Sequence, residues 1–230
     1  MRALFIGFAL LAAAGFAALG VWQIERRAWK LDLIARVEAR IHAPPAALPD
    51  RAHWNDPPRS YAYRRVRVTG TFLHGRETLV QALTEQGAGF WVLTPLRTQT
   101  GIVLVNRGFV PPEKRAPSAR HAAQVEGPVT VAGLLRAAEP GGTLLRANDP
   151  AHDRWFSRDV AAIARARGLG SVAPFFIDAD AAANPGGYPV GGLTVVRFRN
   201  AHLVYAVTWF ALAILSVAGA VLLLRTPERR

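Results

Sequence analysis

The residue type with the widest chemical scope in this chain is histidine. The sequence holds six histidines and no cysteine, and its single methionine is Met1. That excludes disulfides, thiolate zinc sites, iron–sulfur clusters and covalently attached c-type haem, and removes the soft ligands of a copper(I) carrier. His42, His53, His74, His121, His152 and His202 never fall at a metal-ligand spacing such as i, i+4. Asp178-Ala-Asp180 pairs two carboxylates but reads more simply as an acidic turn than as a cation site. There is no phosphate loop, nucleophile elbow or zincin motif, so the chain is expected not to be an enzyme.

His202 stands apart because it opens a long apolar run. From Leu203 to Leu224 there are 22 positions without a charge, enough to cross a bilayer core of about 30 Å as a helix. At helical spacing His202 shares a face with Tyr205, Ala206 and Trp209. Two readings fit an imidazole there. One is an interfacial histidine wetted by headgroups and bonded to a backbone carbonyl. The other is a metal-ligating imidazole, an axial ligand to haem iron.

The elements that would position it lie at the two chain ends. A second uncharged run extends from Ala3 through Val21 to Ile24, again 22 positions. Its alanines imitate a cleavable signal sequence, but its length and the adjoining Trp22 favour a retained anchor. Trp22 and Gln23 would leave the first span at the membrane face where His202 and Tyr205 enter the second. An apolar slot between two such helices, with one imidazole and flanking aromatics, suits a flat macrocycle. Arg26, Arg27, Arg197 and Arg199 at its rim read as lipid anchors or as partners for propionates. The small residues Gly7, Ala14, Gly15, Ala18 and Ser216 would let another helix approach. Ile24–Ile41 keeps a helical period and is expected to prolong the anchor near the membrane surface until Pro44-Pro45 stops it.

Between the spans the period changes to two. Strands are expected over Arg64–Phe72, Glu77–Leu83, Gly89–Thr98, Ile102–Val110, Val129–Leu135, Phe175–Asp178 and Leu193–Phe198, with Gln99-Thr100-Gly101 as a hairpin turn. A helix is expected over Ser157–Arg167, with Ser157 as N-cap and Gly168 just past its end. Asn106-Arg107-Gly108 reads as a strand-end turn. The expected architecture is an α+β membrane protein: residues 3–24 and 201–224 form two transmembrane helices, residues 25–200 a β-rich sandwich or barrel with one or two helices, and residues 225–230 a tail.

The chain carries a net charge of +12. Spread along the sequence without a recognition motif, this charge suits solubility and anionic lipid headgroups, or else an anionic ligand, and not nucleic acid. Near the spans, seven basic residues stand on the domain side and four on the tails. Taken literally, the positive-inside rule would put the domain in the cytoplasm, but the rule is weak for connecting domains longer than about 60 residues.

Five segments, in order, resemble the Surf1 (surfeit locus protein 1) family. They are Gly20-Val-Trp22-Gln23 with Arg26 and Trp29-Lys30; Arg67-Val-Thr-Gly70-Thr-Phe72; Phe90-Trp-Val-Leu-Thr-Pro-Leu96; Leu104-Val-Asn-Arg-Gly-Phe-Val-Pro111; and Asn200-Ala-His202-Leu-Val-Tyr205-Ala-Val-Thr-Trp209-Phe. Ala201 departs from the pattern, standing where a second Asn is usual. The resemblance implies a non-catalytic assembly factor for cytochrome c oxidase, of bacterial type, in the cell inner membrane. The domain would face the periplasm, with both termini cytoplasmic. It implies transient haem a binding with His202 as ligand to the metal. Trp22, Gln23, Tyr205 and Trp209 would complete the cofactor site. Subunit I, haem A synthase and membrane lipids would be its partners. A scaffold that steadies an apo-subunit without a cofactor is the alternative.

Overall fold

The structure, a computed structural model, describes residues 1–225 apart from Leu144, Val195, Arg197 and Arg199. The expected tail after Arg225 and the rim arginines Arg197 and Arg199 therefore lie outside the described residues. The chain divides into two compact units, Met1–Glu38 with Val196–Arg230, and Ala39–Val195.

The first unit holds two long apolar helices, both candidate membrane spans: α1, Arg2–His42, and α4, His202–Arg225. α1 runs unbroken for 41 residues, so the periodic stretch after Ile24 does prolong the first span as a helix. Among the least exposed positions of α4 are His202, Ala206, Trp209, Ala213, Ser216 and Ala220, and among those of α1 are Ile6, Ala9, Ala13, Phe16, Gly20 and Gln23. Both sets advance by alternating steps of four and three, the spacing that keeps one seam of a helix facing a partner helix. Phe16 stacks on Trp209 with ring centroids 5.7 Å apart. The Phe210 ring lies over Gly20, where a Cβ would come within 2.6 Å of it. Near the chain ends, Arg2 donates to the carbonyl of Leu223. The opposite faces, with Phe5, Phe8, Leu11, Ile214 and Leu215, are exposed, as surfaces meant for lipid would be.

The second unit is built on one sheet of six strands: β1 Arg65–Phe72, β2 Thr78–Thr84, β3 Gly87–Arg97, β4 Ile102–Val110, β5 Pro128–Ala137 and β6 Val172–Ala179. Their order is β1-β5-β6-β4-β3-β2, and β1 also pairs with β3, which closes five strands into a barrel and leaves β2 attached to β3. Of the two architectures open from sequence, the barrel is the one formed. All pairings are antiparallel except β4 with β6. Closure puts Gly70 of β1 against β3, where a Cβ would lie 2.4 Å from the Arg97 carbonyl oxygen; a larger residue would hold the seam open.

Alternation divides the strand residues into two cores. Inward-facing Val66, Leu96, Val103, Val105, Leu135, Phe175 and Ile177 fill the barrel. Its end beside the start of β4 and β6 is closed by Tyr61, from the short helix α2 (Pro58–Tyr61), and by Trp54, both against Phe175. Outward-facing Val80, Leu93, Leu104 and Phe176 are covered by Trp155 and by α3, Val160–Ala166. β4 is thus buried on both faces, which is why its sequence reads as a continuous apolar run rather than an alternation.

Four details differ from the sequence reading. Leu193, Thr194, Val196 and Phe198 form no strand, and the remaining positions of that expected strand lie outside the described residues. The chain there comes after Gly191-Gly192, and Val190 instead bridges to Phe109. The N-cap of α3 is Asp159, which accepts from the Ala162 N–H, whereas Ser157 donates to the Glu139 carbonyl. The helix ends as expected at Gly168: the Gly168 N–H reaches Arg165 and the Leu169 N–H reaches Ala164, a Schellman closure. Asn106-Arg107-Gly108 is no turn but the buried interior of β4. Gly108, at φ +129°, lets Phe109 and Val190 exchange both backbone hydrogen bonds at 2.9 Å.

The acidic pair is not a solvated turn either. Asp178 is 2% exposed and accepts from Asn106 at 2.8 Å, Arg136 at 2.8 Å and Arg158 at 3.3 Å. Asp180 pairs with Arg65 at 2.8 Å. A buried carboxylate is costly unless it is paired, and here the surrounding guanidiniums and the amide supply the hydrogen bonds that water would have given.

Candidate functional site

The helical unit brings together part of the site expected from sequence. His202 is the first residue of α4, and its Nδ1 stands 2.7 Å from Oε1 of Gln23 on α1. Gln23 is buried, 9% exposed. An amide oxygen can only accept, so this contact places a proton on Nδ1 and leaves the Nε2 lone pair of a neutral imidazole free. A histidine that ligates a metal is commonly held in the same way, by an acceptor on its other nitrogen.

The aromatic residues divide. Trp209 lies in the helix seam, stacked on Phe16. Tyr205 and Trp22 are 56% and 52% exposed and flank the His202–Gln23 pair without entering the seam. The slot expected between the helices is occupied about two turns further in by Phe16, Trp209 and Phe210. If the chain binds a haem, His202 would be the residue to hold it, offering one imidazole nitrogen, with Tyr205 and Trp22 beside it. Among the described residues, no group of three or more His, Cys, Asp or Glu could hold a bare metal ion.

Around this point, the guanidinium of Arg26 sits 4.1 Å from the Trp29 ring centroid, and Lys30 lies 5.2 Å from that of Phe198. Of the rim cations expected to meet propionates, Arg26 is thus engaged with an aromatic face. Ala201, just before α4, cannot accept from the free N–H groups of the first turn as an Asn would, and Oδ1 of Asn200 is buried without a hydrogen bond.

Sequence reasoning placed His202 and Gln23 at one membrane face but did not pair them. The signal available was the alternating step of four and three through Gly20 and Gln23 on α1 and through His202 and Ala206 on α4. It also read the segments that hold Arg107 and Asp178 as turns, because their burial shows only once the barrel closes.

A family model described as the SURF1 family matches residues 10–214. The chain is 41% identical to a SURF1-like protein of Monosiga brevicollis, over 92% of this chain and 84% of that one. It is 39% identical to surfeit locus protein 1 of Homo sapiens, over 85% of this chain and 69% of that one. To surfeit locus protein 1 of Mus musculus it is 37% identical, over 89% and 71%. With the match running from within the first apolar helix, through the barrel and into the second, the chain belongs to the SURF1 family.

Proposed function

We propose that this chain is an assembly factor for a haem–copper cytochrome c oxidase, binding haem a through His202 and helping to load it into subunit I. The family supports the assembly role, and the His202–Gln23 contact carries the haem-binding part. Gln23 holds the imidazole in one tautomer with Nε2 available, and the adjoining Tyr205 and Trp22 offer amphipathic surfaces. Haem a, when bound, supplies an iron atom that accepts an imidazole nitrogen. The residues of the chain bind and orient it and catalyse nothing. Transfer requires moderate affinity: the acceptor needs an advantage of several kcal/mol to draw the haem forward almost completely. In this reading haem A synthase is the donor, membrane lipids surround α1 and α4 in the cell inner membrane, the barrel faces the periplasm and the termini are cytoplasmic.

The test is an optical spectrum of detergent-purified protein co-expressed with the haem A biosynthetic enzymes. A reduced haem a band in the wild type that is lost or shifted in His202→Ala supports the reading. Folded wild-type protein without haem, in cells shown to contain haem A, overturns it.

A second reading, a scaffold without cofactor, draws on the seam itself, which the chain fills with its own Phe16, Trp209 and Phe210. Gly7 and Gly15 lie open, with nothing within 4 Å of a built Cβ, and so could admit a subunit helix; Ser216 faces the seam and bonds the Leu212 carbonyl. On this reading Gly7→Leu abolishes oxidase assembly and His202→Gln does not.

A further inference from the structure

The barrel interior ends, at the side away from Tyr61, in a cavity of about 210 Å³. Its walls are Phe72 of β1, Val105 of β4, Val129 and Val131 of β5 and Ala179 of β6, with residues 182–185 across the opening. Four barrel strands therefore contribute, and the mouth of a barrel is a common place for a small ligand. The next inward position on β4 after Val103 and Val105 is Arg107, which lines the same cavity.

Arg107 is 3% exposed. Its Nη2 donates to the Ala123 carbonyl at 2.5 Å and to Asn184 Oδ1 at 3.1 Å, both neutral acceptors, and its guanidinium lies 4.8 Å from the Phe72 ring centroid. Nη1 is buried without a hydrogen bond. Among the described residues no carboxylate reaches Arg107 within 4 Å, whereas buried Arg120 has Glu77, and Arg136 and Arg158 have Asp178. Burial pushes the Arg107 guanidinium down to about 10, which leaves it charged at neutral pH. Glu77 acts on it only from a distance and Arg120 opposes it, and a buried cation with no carboxylate in contact is costly. One water would satisfy one N–H, yet the cavity far exceeds the roughly 30 Å³ that a water occupies in the liquid.

We propose that this barrel mouth binds an amphipathic monocarboxylate, whose carboxylate meets Nη1 of Arg107 and whose apolar body lies among Phe72, Val105, Val129 and Val131. The guanidinium edge matches a planar carboxylate. Among the described residues that line the cavity a doubly charged phosphate would find no second cation, and it would face Asp180 at the rim, whose carboxylate is already held by Arg65.

The test uses the full chain in detergent, titrated with hexanoate by calorimetry, with hexanol and inorganic phosphate as comparison probes. Two variants accompany it: Arg107→Met removes the charge, and Val131→Phe fills the cavity and keeps Arg107. The expected result is saturable one-site hexanoate binding, weakened about tenfold or more in each folded variant, as loss of a charge-assisted hydrogen bond implies. Phosphate and hexanol should each bind at least about tenfold more weakly than hexanoate on the same reasoning. Absence of saturable hexanoate binding to the wild type overturns the proposal, as does unchanged binding in Val131→Phe, which remains informative if Arg107→Met does not fold. Phosphate or hexanol binding as tightly as hexanoate overturns it too, since the site would then read charge alone or oil alone.

Discussion

Nδ1 of His202 and Oε1 of Gln23 meet at 2.7 Å although 179 positions separate them in sequence. Gln23 is a buried polar side chain in an apolar seam, and the imidazole is what it spends its oxygen on. If His202 ligates haem a, Gln23→Leu should weaken haem retention by about 10–100-fold, the usual cost of losing the group that orients a ligating histidine. Gln23→Glu should retain it. The reduced optical spectrum of each purified variant, normalised to protein, reads the outcome.

The buried pair of Glu77 and Arg120 makes a stability prediction. Arg120 reaches both carboxylate oxygens of Glu77, one at 2.9 Å, and their side chains are 9% and 1% exposed. Arg120→Met leaves a buried carboxylate alone and should cost about 3–5 kcal/mol. The double variant Glu77→Leu/Arg120→Met should recover most of that loss. Denaturant unfolding tracked by tryptophan fluorescence distinguishes this from additive damage.

His74 predicts a pH dependence. Burial lowers its pKa below the ordinary 6.5, against the opposing bond from Nε2 to the Val125 carbonyl at 3.0 Å. Arg107 and Arg120 oppose its protonation and Glu77 favours it. Because the folded value is depressed, the unfolded chain takes up the proton first as pH falls. The contribution of His74 is therefore complete above pH 6.5 and is lost as pH drops from there through the folded value. Midpoints of unfolding measured between neutrality and pH 5 should decline, and His74→Gln should flatten that decline.

Gly108 sits where no side chain fits. A Cβ would lie 2.1 Å from the Val190 carbonyl oxygen, and the φ of +129° is one that L residues avoid. Gly108→Ala should cost at least the roughly 1–3 kcal/mol of backbone strain, with the clash added. Faster hydrogen exchange at the Phe109 and Val190 amides, which pair across this contact, would locate the damage; unchanged protection there would contradict the assignment.

Most of the barrel was legible because alternation and turn chemistry are local. The β3–β4 hairpin at Gln99-Thr100-Gly101 can be read from composition alone, and the Thr98 N–H does reach the Gly101 carbonyl at 2.9 Å. What could not be read were facts made by closure. A lone Asn106-Arg107-Gly108 looks like a turn because polar and glycine residues usually are turns. It becomes strand interior only when β6 lies alongside and Asp178 offers Asn106 an acceptor. Likewise Ser157 and Asp159 are both good caps, and the choice between them is settled by Glu139, whose carbonyl takes the serine hydroxyl. In the helical unit the two long apolar helices were plain from length, while the pairing of His202 with Gln23 needed the phase of two helices at once.

The barrel is stoppered by Tyr61 and Trp54 at one end and bounded at the other by Arg107 and residues 182–185. On the binding proposed above, a ligand that enters beside Arg107 passes residues 182–185 on the way in and again on the way out, so that segment would act as a common kinetic barrier. A change that loosens this segment but keeps Asn184, the acceptor for Arg107, would speed arrival and departure by the same factor and shorten the residence time without shifting occupancy.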